Sequence, residues 1–200
     1  MSLDSDQKRA VEKLSRLKAG ALFMKMGSGK TKVACDLVRR KLDCVDAVIW
    51  IAPASLAHSE KYISEVKRWS RGFFKKISFF TIEGISMSDS KYMEMRKLAE
   101  TRRNFCVVDE SIFIKNIRAL RTKRLVADYK LFDFRLILNG TPITKSLLDL
   151  YSQISFLSPN ILKMTERQFA DNFLVYFFDG VDPFPWRRWS KPANVEALIE

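Results

Sequence analysis

Residues 21–34 read ALFMKMGSGKTKVA: an apolar run, a glycine-bearing loop with a lysine, and the start of an amphipathic segment. Whether the loop grips phosphate or is only a turn decides the fold. The strict phosphate-loop pattern G-x-x-x-x-G-K-[ST] has its first glycine where this chain has Met24. The short pattern is weak alone, so its surroundings must carry the reading. ALFM reads as a buried strand, and Val33, Ala34, Leu37 and Val38 read as one face of a helix. This strand, loop and helix order is the context the motif requires. Gly27 and Gly29 permit a tight loop whose backbone N–H groups, with the helix N-terminus, face a phosphate. Lys30 supplies the point charge and Thr31 a hydroxyl for Mg²⁺. The competing reading is a glycine turn that opens an ordinary helix.

Four more apolar runs follow: AVIWIA at 47–52, ISFFTI at 77–82, FCVVD at 105–109 and RLILN at 135–139. Each is nearly continuous rather than alternating, as in strands covered on both faces. Between them lie helical periods, such as Leu56, Tyr62, Ile63, Val66 and Trp69, or Leu147, Leu150, Tyr151, Ile154 and Leu157. The alternation predicts an α/β fold, a doubly wound, mostly parallel sheet flanked by helices. Asp4 with Gln7, and Thr165 with Gln168, predict capping boxes at two helix starts.

The chain has 200 residues, 47% of them hydrophobic, with seven Gly and six Pro, which suits one well-cored domain. No stretch approaches the roughly 18 apolar residues of a membrane helix. The polar start MSLDSDQKRA is unlike a signal peptide, so a cytoplasmic protein is expected. Cys35, Cys44 and Cys106 are odd in number and lack metal-like spacing, and two of them lie in apolar contexts, which predicts reduced, buried thiols. His58 is the only histidine and reads as a surface residue, which argues against zinc or serine-histidine chemistry. Thirty-five Lys and Arg against 23 Asp and Glu give a net charge of +12, which favours a polyanionic partner without specifying DNA.

A phosphate loop needs an acid at the end of another strand. FCVVDES supplies two: Asp109 for the Mg²⁺ shell and Glu110 to orient or deprotonate the attacking water. An acidic pair after a strand is also a common turn, and only the lysine loop makes it informative.

The series ALFMKMGSGKTKVA, VIWIAPASL, VVDESIFIKN and LILNGTPITKSLLDLYSQISFLSP resembles, in order and separation, motifs I, Ia, II and III of superfamily two helicases. It is most similar to the Swi/Snf-type DNA translocases, whose motif II commonly reads D-E-A-H-R-I-K-N and whose motif III reads T-G-T-P-I-Q-N-N-L. The likeness covers most of residues 4–160. It implies a RecA-like, ATP-binding lobe at 1–160, followed by an extension at 161–200. It further implies that Gln7 reads adenine, although the capping box explains the same residue, and that Gly27, Ser28, Gly29, Lys30 and Thr31 hold the phosphates. Asp109 and Glu110 would serve magnesium and water, and Gly140, Thr141 and Pro142 would couple nucleotide state to movement. Pro53, Ala54 and Ser55 would touch a nucleic-acid backbone. The implied cofactors are ATP and Mg²⁺; the implied partners are DNA, in duplex form, and a second RecA-like lobe carrying an arginine finger. No membrane partner is implied.

The chain departs from that pattern at four places. Met24 replaces the first glycine, a change such loops often carry. Ser111 replaces alanine, and Ile112 replaces a histidine whose hydrogen bonds join motif II to motif III. Asn139 stands for the first threonine of motif III and can keep a hydrogen bond there. The final KPANVEALIE resembles the stretch that closes the first lobe, so the chain reads as a fragment with little or no turnover of its own. Two other readings stay open: a P-loop kinase or small-molecule ATPase, and a nucleic-acid-binding module whose ATP site has decayed.

Two further stretches read as surfaces. KNIRALRTKRLVADYK sets Arg118 and Arg121 one turn apart beside an apolar stripe of Ile117, Leu120 and Leu125. FLVYFFDGVDPFPWRRWSKP marks a shift in composition after residue 173. There Trp186, Arg187, Arg188 and Trp189 either pack on the domain or stack on bases.

Overall fold

The computed structural model describes residues 3–177 and 186–190. The chain opens with α1 (Ser5–Leu14), β1 (Ala19–Phe23), α2 (Lys30–Arg39) and β2 (Ala47–Ala52). It continues with α3 (Ala54–Ala57), α4 (Glu60–Trp69), β3 (Ile77–Thr81), α5 (Ile82–Met87), α6 (Asp89–Thr101) and β4 (Asn104–Val108). Then come α7 (Leu120–Ala127), β5 (Phe134–Asn139), α8 (Leu148–Leu157), α9 (Pro159–Leu162) and α10 (Glu166–Phe173). The strands β6 (Leu174–Phe177) and β7 (Trp186–Ser190) form a separate antiparallel pair.

The five apolar runs are the five strands of one sheet, in the order β1-β5-β4-β2-β3, and every pairing is parallel. Side chains of a strand alternate between faces, and the core divides accordingly. Val48, Trp50 and Ala52 of β2, with Phe105 and Val107 of β4, face a layer that includes Val33 and Val38 of α2 and Val66 of α4. Ile49 and Ile51, with Cys106 and Val108, face Ile85, Met95 and Leu125 of α5, α6 and α7. Helices on both sides explain why these runs do not alternate with polar residues. The edge strands β1 and β3 are only half-buried along most of their length, whereas β2 and β4 are buried throughout.

Both predicted capping boxes form, at Asp4/Gln7 and Thr165/Gln168. Cys35 and Cys106 are buried and Cys44 is exposed, all three as free thiols. Burial pushes the Cys35 thiol up to about 12 and raises Cys106 as well. His58 is exposed. No helix among the described residues is long and apolar enough to cross a membrane.

The structure corrects one stripe. Leu120 opens α7 and is 48% exposed, so it does not belong with buried Leu125; Thr122 takes the inward place one turn earlier. Arg118 precedes the helix, and Arg121 Nε donates to the Phe113 carbonyl. A third apolar cluster joins Leu147 and Leu150 to Leu162, Phe169 and Phe173, so α9 and α10 pack on the α8 region. Side chains in Trp186–Trp189 and the closing KPANVEALIE lie outside the described residues.

Candidate functional site

Because the sheet is parallel, the loops after β1, β2, β4 and β5 all leave from one edge, the carboxyl end, where ligands of such sheets bind. The registers keep those ends level: Phe23 pairs with Asn139, and Val108 with Ile137 and Ile51.

The loop after β1 turns through Gly27 (φ 76°) and Gly29 (φ 80°), left-handed conformations that favour glycine. Gly29 is the N-cap of α2 and offers no side-chain cap, and the first turn of that helix holds no acid. By contrast, side chains of Asp4, Ser59 and Ser88 close the starts of α1, α4 and α6. The first N–H groups of α2 thus have no cap from an N-cap side chain, as is also so at α3, α7 and α8, and they lie at the end of the helix whose dipole favours an anion. Lys30 Nζ donates to the Met24 and Lys25 carbonyls (3.1 and 3.3 Å), which holds the ammonium over the loop. Thr31 follows within the first turn of the helix.

Gln7 forms the capping box and also reaches the loop after β1. Its Oε1 accepts from the Asp4 amide and completes the capping box, while Nε2 donates to the Ser28 carbonyl at 3.0 Å. A Cβ on Gly29 would lie 2.6 Å from that Nε2, so the glycine lets Gln7 reach the loop.

Asp109 and Glu110 follow β4. The Asp109 amide donates to the Ile51 carbonyl, and Oδ1 accepts from the Glu110 amide at 2.9 Å. Oδ2 accepts from the Tyr62 hydroxyl at 2.5 Å, and that hydroxyl accepts from Trp50 Nε1 at 2.8 Å. One buried chain of hydrogen bonds thus runs from the core of β2 through α4 to the acid. Glu110 holds φ 52° and ψ 55°, a strained backbone for a non-glycine residue.

Burial pushes the Asp109 carboxyl above the usual carboxylate range, against the Tyr62 hydroxyl, the Glu110 amide and the Lys30 charge, which lower it. Glu110 is raised by desolvation and then by Asp109, again opposed by Lys30. Lys30 therefore acts on both acids. Each acid holds its proton more tightly folded than unfolded. Their contribution to stability is thus fullest below the ordinary carboxylate range near pH 4 and is lost as pH rises through the folded values. An Asp109→Asn variant should melt above wild type at pH 7.5, by about 2–4 °C for each kcal/mol relieved, with the difference shrinking toward pH 4. Melting curves at the two pH values check this; equal differences at both would show that Asp109 ionisation is not involved.

The loop after β5 closes the site. A Cβ on Gly140 would sit 3.2 Å from Met26 Cγ and 3.7 Å from Lys30 Nζ, so motif III lies directly against motif I. Asn139 Oδ1 accepts from the Thr141 amide at 3.1 Å, the hydrogen bond expected of that position, while its buried Nδ2 has no partner among the described residues. Ile112 offers no polar group, but its neighbour Ser111 donates to Gln153 Oε1 at 2.6 Å. Gln153 Nε2 in turn donates to the Pro142 carbonyl at 2.9 Å.

Pro53 is the buried N-cap of α3, the Ala54 amide donates to Glu83 Oε2 at 2.8 Å, and Ser55 is exposed. Tyr62, Trp50 and Gln153 are the site-connected residues that sequence reasoning missed. Their only signal was an apolar or helical period, which says nothing of a partner 47 or 42 residues away.

The residues fit a magnesium nucleotide. Among the described residues no group of three His, Cys, Asp or Glu could hold a metal ion. Mg²⁺ that keeps phosphate and water ligands needs only one or two carboxylates.

Comparison with known proteins bears on the family and the fold. The SNF2-related domain family matches residues 75–181. The TATA-binding protein-associated factor mot1 of Aspergillus fumigatus is 40% identical over 96 residues, 46% of this chain and 4% of that protein. The TATA-binding protein-associated factor BTAF1 of Arabidopsis thaliana is 32% identical over 183 residues, 77% of this chain and 8% of that protein. An uncharacterised ATP-dependent helicase of Mycoplasma genitalium is 31% identical over 176 residues, 77% of this chain and 16% of its own. The chain thus spans a small part of each relative. In fold it is similar to the Sulfolobus solfataricus SWI2/SNF2 ATPase core in complex with dsDNA, with a TM-score of 0.67 at 20% identity, over 86% of this chain and 39% of that one. With residues 75–181, more than half of its length, matched, the chain belongs to the SNF2-related domain family.

Proposed function

We propose that this chain is the ATP-binding first lobe of a DNA-stimulated ATPase that moves along duplex DNA. The observation that carries the reading is the convergence of three loops on Lys30: its own, at the uncapped start of α2; the Asp109–Glu110 loop, whose acids feel its charge; and Gly140, whose Cβ position lies 3.7 Å from its Nζ. An anion-accepting helix start, a lysine and an adjacent acid pair are the parts that phosphoryl transfer from a nucleotide uses.

In this reading Gly27, Ser28, Gly29 and Lys30 hold the phosphates, and Thr31 with Asp109 hold Mg²⁺. Gln7, whose Nε2 donates to Ser28 in the phosphate loop, reads adenine in this proposal. Bound Mg²⁺ supplies charge neutralisation at the phosphates. Glu110, with its raised proton affinity and strained backbone, orients the attacking water and takes its proton. Gly140, Thr141 and Pro142 pass the nucleotide state outward. Pro53, Ala54 and Ser55 meet the nucleic-acid backbone; the Ala54 amide is already held by Glu83 Oε2, so its contact would not be through that N–H. Duplex DNA as the partner rests on the net charge of +12 and on the fold shared with a SWI2/SNF2 core solved on dsDNA.

In this reading residues 1–160 are one RecA-like lobe and 161–200 an extension from it, a division that the packing of α10 on the α8 region supports. Turnover then needs a second lobe to bring an arginine to the γ-phosphate, a group worth orders of magnitude in rate. The test is ATP turnover by the 200-residue chain with and without duplex DNA, against Lys30→Ala as background. Turnover at background is expected, rising when the second lobe is supplied. Vigorous turnover indifferent to DNA would overturn the reading in favour of a kinase or small-molecule ATPase.

A further inference from the structure

Ser111 and Gln153 are both 0% exposed, and each is polar in a region where apolar residues would pack as well. A buried amide left without partners costs about 1–3 kcal/mol, so the partners that Gln153 has are informative. Its Oε1 accepts the Ser111 hydroxyl at 2.6 Å, and its Nε2 donates to the Pro142 carbonyl at 2.9 Å and to the Asp149 carbonyl at 2.5 Å. Only the Asp149 bond lies within α8. The other two tie that helix to two different loops, the one that carries Asp109 and Glu110 and the one that carries Gly140 and Thr141.

These contacts close a ring. Glu110, in its left-handed backbone, is bonded covalently to Ser111; Ser111 leads through Gln153 to Pro142; Gly140, two residues back, has its Cβ position 3.7 Å from Lys30 Nζ, and Lys30 acts on Glu110. A change of backbone at Glu110 must move Ser111 and with it one end of the amide. A second tether runs beside the first: Lys115 Nζ donates to Thr144 Oγ1, and Asp149 Oδ2 accepts from the Thr144 and Lys145 amides at 2.7 and 2.9 Å. That tether bypasses the acid pair, because Lys115 lies beyond the 3-10 turn Ser111–Ile114. Ile112, within that turn, has no group to contribute.

We propose that Gln153 is a positioning residue that transmits the state of the Asp109–Glu110 loop to the Gly140–Pro142 loop through the Ser111 hydroxyl. The proposal rests on the nucleotide reading above and names the device that reports on that site. Ser111 and Gln153 act as a pair: the hydroxyl donates to the amide oxygen, and the amide has one acceptor end for it and one donor end for Pro142.

The test separates binding from transmission. Affinity for Mg·ATPγS is measured by titration, and amide hydrogen exchange of the segment 140–146 is followed by mass spectrometry with and without that nucleotide. Wild type, Gln153→Met, Ser111→Ala and Ser111→Thr are compared. Exchange in 140–146 is expected to slow several-fold on binding in wild type and in Ser111→Thr, which keeps the hydroxyl. In Gln153→Met and Ser111→Ala the affinity should stay within about threefold, since the bonds of these two side chains go to each other and to the Pro142 and Asp149 carbonyls rather than to residues 27–31, while the slowing is lost. Ser111→Ala removes one atom and serves if Gln153→Met does not fold. Slowing that persists in both variants, or affinity that collapses along with it, overturns the proposal, as does a wild type that binds without any slowing. A wild type that fails to bind Mg·ATPγS at all overturns the nucleotide reading itself and removes the basis of this one.

Discussion

Lys30→Ala should weaken binding of Mg·ATPγS by about 10- to 150-fold, the equivalent of about 1.5–3 kcal/mol for a hydrogen-bonded charge. The reason is local. The start of α2 provides N–H groups and a favourable dipole, and Lys30 adds a full positive charge held over the loop by the loop's own carbonyls, those of Met24 and Lys25. Those two bonds are partly exposed, so their loss should leave the melting temperature nearly unchanged. A titration with a fluorescent nucleotide, paired with a melting curve, checks both statements. Unchanged affinity in a folded variant would remove residues 27–31 from the site.

Trp50→Ala should destabilise the chain by about 3–5 kcal/mol, the range for removing a large buried aromatic. Trp50 is 0% exposed at the centre of β2, flanked by β4 and β3, with Phe79 tilted against it at 6.4 Å. Alanine would leave a cavity between sheet and helix and take away the N–H that the Tyr62 hydroxyl accepts. Against a total of about 5–15 kcal/mol, a loss of that size leaves little margin. Trp50→Phe keeps most of the volume and removes the hydrogen bond alone, so it should cost about 1–2 kcal/mol. Urea unfolding of the two variants measures the difference. A loss below about 1 kcal/mol for Trp50→Ala would mean that the site around β2 relaxes and fills the cavity.

Much of the fold could be read from local patterns. AVIWIA is β2 residue for residue, and RLILN and FCVVD mark β5 and β4 to within a residue or two, because a strand buried on both faces must be apolar at consecutive positions. The capping boxes were legible for a related reason: the partners lie three residues apart, and one turn of helix brings them together. Leu120 shows where such reading ends. Helical period placed it on a stripe, but the helix begins at Leu120 itself and its first residue points outward.

The site divides along the same line. Lys30, Thr31, Asp109 and Glu110 could be picked out because each follows an apolar run, and the glycines could be picked out because they sit where a left-handed turn is needed. Gln7 bonding to Ser28, Tyr62 to Asp109 and Gln153 to Ser111 could not, since helical period marks a residue as inward-facing without naming what it faces.

By itself, then, the sequence determined the strand, loop and helix units, the starts of two helices, and the order of the motifs along the chain. These depend on contacts within a few residues, where backbone geometry leaves few choices. Only the tertiary structure decided that β5 and β4 lie between β1 and β2, which brings the loops carrying Lys30, Glu110 and Gly140 to one edge. It also decided that a serine and a glutamine, rather than the residue at position 112, join two of those loops. Partners far apart in sequence are chosen by how whole layers pack, and each such choice depends on all the others being made at once.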